Sequence, residues 1–244
     1  MAKLGSDVLV SPQDLLSSLP TIQTELGNRV TDSAGRVYRY AQAGASNLVQ
    51  GNMLQSPISV ANHQHIAVAA TAATGSYTVT ATLGATAATS GFYSNGYMSV
   101  DTGSGLLGAT YSIVGNGAVL SGGVITLTLG EPLQQALTTS AYVSLTPNTY
   151  SGVIQMPATT PTGIPVGVAL TNMTAAYYGW IQTRGVASVL SDASTATQGK
   201  AVQIPSGTAG AVTANAATAT SYIVGVAQIA GTSAQCNPVF LTLE

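Results

Sequence analysis

The sequence predicts an all-β fold: a β-barrel or sandwich base domain, an inserted second β domain, and an N-terminal arm carrying one short helix. Three observations lead there. About a dozen short segments are rich in Val, Ile, Thr and Tyr and often alternate in polarity, the pattern of strands with one buried face. Between them stand Gly, Asn, Ser and Pro clusters such as "SNG", "DTGSG", "GNG", "SGG" and "TPTGIP", which favour turns. The composition is 45% hydrophobic with only 6% charged residues, and its store of Val, Ile and Tyr marks a chain that folds.

The arm spans residues 1–27. In "SPQDLLSSL", Ser11 is placed to cap a helix, Pro12 suits the first helical position, and Asp14 lies where the helix dipole favours negative charge. This helix offers only Leu15, Leu16 and Leu19 for burial, so it must pack on something larger. From residue 28 the strand candidates follow in order: "RVYRYA", "HIAVAAT", "SYTVTATL", "GYMSV", "TYSIVG", "VITLTL", "AYVSLTP", "GVIQM", "GWIQTRG", "KAVQI", "YIVGVAQI" and "VFLTL". Strands this short with turns this frequent indicate a barrel or sandwich.

Two stretches echo one another. "YRYAQAGASNLVQGNMLQSP" (38–57) and "YGWIQTRGVASVLSDASTATQGKAVQIPSG" (178–207) share an aromatic pair, a Gly, a small residue and a Leu, then a second Gly opening a strand that ends near Pro. They read as two hairpins of one barrel, related either by duplication or by the common demands of hairpin packing. The charge-poor stretch between them has strand candidates of its own, which gives a base domain of 28–62 plus 149–244 and an insert at 63–148.

Charge excludes several classes. The net charge is -2, with no cluster of Lys and Arg to meet phosphates, so nucleic acid is not an expected partner. Eight of the fourteen charged residues lie between Lys3 and Arg39, and none between Arg39 and Asp101. The body is neutral and hydroxyl-rich, a surface that crowds without self-repulsion and whose contacts depend little on salt. The single cysteine, Cys236, excludes a disulfide framework and a Cys-rich zinc site. The start "MAKLGSDVLV" does not have the form of a secretory signal, and no run of about 18 apolar residues occurs, so synthesis in a cytoplasm and no membrane partner are expected.

No constellation of catalytic residues emerges, and no enzyme activity, cofactor or metal is expected. Asp101, Thr102, Gly103 and Ser104 spell the D-T-G-S string of aspartic proteases, but one copy supplies one carboxylate and the flanks read as a hairpin turn. His63 and His65, two apart, would share a face of a strand, either as polar surface or as half of a metal site completed across an oligomer axis. No G-x-S-x-G elbow accompanies the two His, and "GNGAVLSGG" is not a phosphate loop. Asn172, Met173 and Thr174 form a glycosylation sequon. Trp180 and Arg184, four apart on a strand, would face one side, either as core and rim of a barrel or as an interface pair; Arg36 and Arg39 around "YRYAQAG" have the same two readings.

The order of features resembles the head-decoration, or capsid cement, proteins of tailed bacteriophages. The likeness rests on "GRVYRYAQAGASNLVQGNMLQSP", "GYMSVDTGSGLLGATYSIVGN", "PVGVALTNMTAAYYGWIQTRGVASVL" and "YIVGVAQIAGTSAQCNPVFLTL", which together cover most of residues 27–244. The resemblance implies a virion protein on the outer surface of the capsid, with the major capsid protein as partner and self-association as a homotrimer. The arm fits a contact with a neighbour, with Asp7, Asp14, Glu25, Arg29 and Arg36 setting register. Leu15, Leu16, Arg29, Arg36, Arg39, Trp180 and Arg184 are the expected partner-binding residues. The competing class is a tail-associated or receptor-binding adhesion protein; a carbohydrate-active enzyme would need a carboxylate pair in a cleft, hard to assemble from eight acids.

Overall fold

The computed structural model describes residues 12–192, 196–215 and 221–244; Lys3, Asp7 and the expected cap Ser11 lie outside them. The chain opens with helix α1 (Pro12–Leu15) and strands β1 (Ser18–Leu19), β2 (Arg29–Thr31), β3 (Val37–Ala43) and β4 (Met53–Gln55). Next come β5 (Ile66–Ala67), β6 (Thr78–Thr82), β7 (Gly96–Thr102), β8 (Thr110–Asn116), β9 (Val124–Leu129) and β10 (Tyr142–Thr146). The last are β11 (Ser151–Gln155), β12 (Pro165–Ala169), β13 (Tyr178–Leu190), β14 (Ala201–Ile204), β15 (Thr213–Ala214), β16 (Tyr222–Ala227) and β17 (Cys236–Thr242). Two compact units result, residues 1–58 with 149–244 and residues 59–148, so the first division falls at 58/59 and not at the 62/63 read from the sequence.

The larger unit consists of two small rings that share a strand. In ring one, β3, β13, β12, β4 and β11 pair in that order and β11 returns to β3; this closing contact is parallel and the rest are antiparallel. β13 then runs on, and its second half forms ring two with β17, β16, β14 and β15, closed by a parallel bridge between Ser191 and Val212. A closed sheet leaves no bare edge, which suits a chain with few charges to guard one.

The two rings have one topology and one register. Tyr38↔Gln182, Arg39↔Ile181 and Tyr40↔Trp180 in ring one correspond to Val186↔Phe240, Ala187↔Val239 and Ser188↔Pro238 in ring two. Gly167↔Leu54 and Val168↔Met53 correspond to Gly225↔Val202 and Val226↔Ala201, with a bulge at the same step. The parallel closure Val153↔Ala43 corresponds to Val212↔Ser191. Even the turn into the last strand repeats, with Ala176 at φ 63° and Ala234 at φ 58° both left-handed. The interiors match position by position: Ala41, Leu54, Val166 and Ile181 fill ring one where Val189, Val202, Val224 and Val239 fill ring two. This unit is a tandem structural repeat, and the last strand of the first ring is the first strand of the second.

The echoing stretches are therefore not two hairpins. β11 lies between β3 and β4, and β14 pairs with β16 and β15 and not with β13. "YRYAQAG" and "GWIQTRG" are instead partners, β3 against the first half of β13. The aromatic residues align the wrong segments; the true repeat is carried by plainer residues, Val166-Gly167-Val168-Ala169 against Val224-Gly225-Val226-Ala227, and Gln50-Gly51 against Gln198-Gly199. Between β4 and β11 the first ring carries residues 59–148, where the second has only the short connection 205–212 between β14 and β15.

The outer face of ring one is covered. Met53, Met156 and Val168 join the interior cluster of ring two. Further along, β1 pairs with β13, Ser18↔Gly179 and Leu19↔Tyr178, while Leu15 and Val30 pack with Tyr38, Tyr40 and Trp180. Residues 12–27 are thus part of the base unit and not a projecting arm, because the aromatic face they cover would otherwise stand in water.

The smaller unit is a six-stranded antiparallel sheet in the order β5-β10-β7-β8-β9-β6, brought round on itself by a bridge between Val68 and Ala81. Strict alternation along β9 sends Ile125, Leu127 and Leu129 inward to Tyr93, Met98 and Leu145. The expected strand at "HIAVAAT" shrinks to the two residues of β5, and Ala61–His63 forms a 3-10 turn.

Candidate functional site

Like charges sit opposite one another where β2 meets β3, since Arg29 faces Arg39 across the ladder. Glu244 resolves this from the other end of the chain. Its carboxylate accepts from Arg39 Nε at 2.7 Å, Arg39 Nη2 at 3.2 Å and Arg29 Nε at 3.3 Å. Arg39 also donates to the Gly27 carbonyl at 2.7 Å and lies over the Tyr150 ring. Burial would raise the Glu244 carboxyl, but the bond and charge of Arg39 outweigh it and hold the group below its ordinary value. The same bond raises Arg39.

A second carboxylate organises the neighbouring turn. Asp32 accepts from the backbone N–H groups of Ala34 and Arg36, from Arg36 Nε at 2.6 Å and from the Tyr38 hydroxyl at 3.1 Å. Burial opposes ionisation here too, yet the bonds from Arg36 and Tyr38 keep Asp32 below its ordinary value. Burial pushes the Tyr38 hydroxyl up to about 12, so at neutral pH it remains a donor.

Behind these charges lies an aromatic cluster. Tyr40 meets Trp180 edge to face at 5.1 Å and stacks on Tyr178 at 6.2 Å. Leu15, 5% exposed, and Trp180, 8% exposed, pack in this cluster, so neither is available to a partner; the core reading of Trp180 is the one realised. Trp180 is buried in the cluster while Arg184 is exposed, and β13 bulges between Gln182 and Arg184. The buried Gln182 amide stabilises that bulge by donating to the carbonyls of Arg184 and Val186, each at 3.0 Å.

The seven expected partner residues therefore separate into groups. Arg29 and Arg39 share one carboxylate, Leu15 and Trp180 share one apolar cluster, and Leu16 points outward. Arg36 and Arg184 line a hollow of about 400 Å³ with Val186 and Phe240, and Arg184 makes no ion pair among the described residues. Sequence reasoning missed Asp32, Glu244, Val186 and Phe240. The like-charged Arg29 and Arg39 were the available signal for a shared acid; nothing local marked Val186 or Phe240 as surface.

The smaller unit places its histidines apart. His63 is buried: its Nε2 donates to the Thr86 carbonyl at 2.8 Å and its Nδ1 meets the Tyr93 hydroxyl. His65 is exposed at φ 50°, stacks on Tyr142 and lies 3.5 Å from Asp101 Oδ2. The two do not share a strand face, and no group of three metal-binding side chains occurs among the described residues. Asp101 also accepts from Ser144 Oγ at 2.8 Å, and Gly103, Gly105 and Gly108 turn the chain from β7 to β8 with positive φ. The D-T-G-S string is a hairpin turn, as its flanks indicated. Asn172 lies in the turn between β12 and β13, where its Oδ1 accepts from the Gln50 N–H. No described helix is long and apolar enough to cross a membrane. The chain matches no known protein family, no characterised protein and no solved structure with which it was compared.

Proposed function

We propose that this chain is a structural virion protein that decorates and cements the outside of an assembled phage capsid, bridging neighbouring copies of the major capsid protein and associating with itself. The observation that carries the reading is the treatment of charge. Of only fourteen charged residues in the chain, Arg29, Asp32, Arg36, Arg39 and Glu244 pair with one another within one unit, and the few others on that unit, Asp14, Glu25 and Arg184 among them, stand on a surface made mostly of hydroxyls, amides and apolar side chains. Such a surface supports shape-dependent, salt-insensitive contacts. Repeated over many copies, a standard interface of about 1,600 Å² holds well, because linked sites raise avidity by about 10² to 10⁴. No catalytic step belongs to this role.

The test is co-sedimentation of the purified protein with phage heads stripped of decoration. Because residues 12–27 belong to the folded base, the informative truncation removes residues 1–11 only. Saturable binding that persists in high salt is the expected result, with the truncation showing whether that segment contributes. If neither form sediments with heads, the cement reading fails and the tail-associated adhesion role takes its place.

A further inference from the structure

The repeat supplies a comparison inside one molecule. On ring one, Tyr38, Tyr40 and Trp180 are covered by Leu15 and Val30 from the N-terminal segment. The corresponding residues of ring two are Val186, Ser188 and Pro238. There Val186, Phe240 and Val226 are direct cross-strand neighbours, Val186↔Phe240↔Val226, and are 36 to 44% exposed. Two hollows of about 400 Å³ each flank this row, bounded by Arg36, Leu170, Ser188, Arg184 and Phe240. Val186 and Ser188, which stand where ring one has Tyr38 and Tyr40, both line the first of these hollows.

We propose that this face of ring two is a docking surface for residues 14–25 of a second copy of the chain. That segment is two-sided. Leu15 is buried against its own ring one, while Leu16, Leu19 and Ile22 are exposed. Asp14 and Glu25 flank those three, are exposed, and make no ion pair among the described residues. The receiving face is complementary: an apolar row with the cation Arg184 at its rim. In ring one the segment meets this register at one point, since Leu15 packs in one cluster with Tyr38, the counterpart of Val186; its outward side would be held between its own ring one and the next copy's ring two. Donor and acceptor surfaces differ, so the contact is head to tail and either closes into a ring or continues. The proposal deepens the self-association in the structural reading, and its test needs no capsid, so failure here and failure in co-sedimentation are separate results.

Sedimentation velocity over a wide concentration range is the experiment. The full chain is expected to associate, and Phe240→Glu and Ile22→Glu are each expected to weaken association about tenfold or more. Val226→Glu, on the same row, replaces Phe240→Glu if that variant does not fold. Mixing the receiving-face variant with Ile22→Glu is decisive: each retains one good surface, so the mixture forms dimers that neither forms alone. A full chain that stays monomeric overturns the proposal, as does a folded receiving-face variant that associates like the parent, or an Ile22→Glu variant that associates fully.

Discussion

Two adjacent leucines separate what a residue is from where it stands. Leu15 and Leu16 are alike in chemistry, but the first lies among Val30, Tyr38, Tyr40 and Trp180 and the second in water. Leu15→Ala is expected to cost about 2 to 4 kcal/mol through lost burial and the cavity it leaves, and Leu16→Ala less than about 0.5 kcal/mol. Urea midpoints measured side by side check this, and equal shifts would mean that the segment does not seat as described. The carboxylates make a second prediction at this scale. Asp32 and Glu244 titrate lower in the folded state than their ordinary values of 3.8 and 4.5, so the unfolded chain binds more protons in acid. Their contribution is in place above those ordinary values and is lost as pH falls through the lowered ones. The denaturation midpoint should therefore drop between about pH 5 and about pH 3, and Glu244→Gln should flatten that drop.

At the scale of elements, the repeat explains features that look arbitrary in either ring alone. Gly167 and Gly225 occupy the same place at the same bulge, and in each a Cβ would strike the carbonyl of the strand beside it, Gln182 O in one ring and Phe240 O in the other. The same close approach at the matching position of both rings leaves no room there for a Cβ in either. Gly225→Ala is expected to destabilise the unit by about 2 kcal/mol or more, read as a lowered urea midpoint with an unchanged slope. Two strands that do not stand out as alternating segments, β12 and the β4 read only as part of the echo after Gly51, are explained in the same terms. β12 begins at Pro165 and contains Gly167, both poor strand signals, and β4 is three residues long and buried throughout, with no alternation to detect. Both are edge-sharing members of ring one, where neighbours on either side supply the stability that their own composition does not.

For the whole molecule, the second ring shows what the first looks like without its insert. Ring two closes with only residues 205–212 between β14 and β15, whereas ring one carries the smaller unit at that place. A chain in which a copy of residues 205–212 replaces their counterparts 57–153, insert included, is therefore expected to fold, with the larger unit's cooperative thermal transition retained. Loss of that transition would mean that the larger unit depends on the insert. The smaller unit has its own core, from Ile66 to Leu145, and its own closure, so its removal takes away no residue of the ring interiors.

The sequence by itself determined the all-β class, the turns at "DTGSG" and "SNG", the short first helix, and a neutral surface, because each follows from local pattern or composition. It also held the repeat, in the paired V-G-V-A stretches. What it did not decide was which strand lies beside which. "YRYAQAG" and "GWIQTRG" look like copies and are partners, since pairing depends on burial of a shared face and on bulges that change which side a residue takes. The tertiary structure likewise decided that Trp180 is core, that Glu244 answers Arg29 and Arg39 across the length of the chain, and that Val186, Val226 and Phe240 face water. Each of these is a relation between residues distant in sequence, and closure of the rings brings them together.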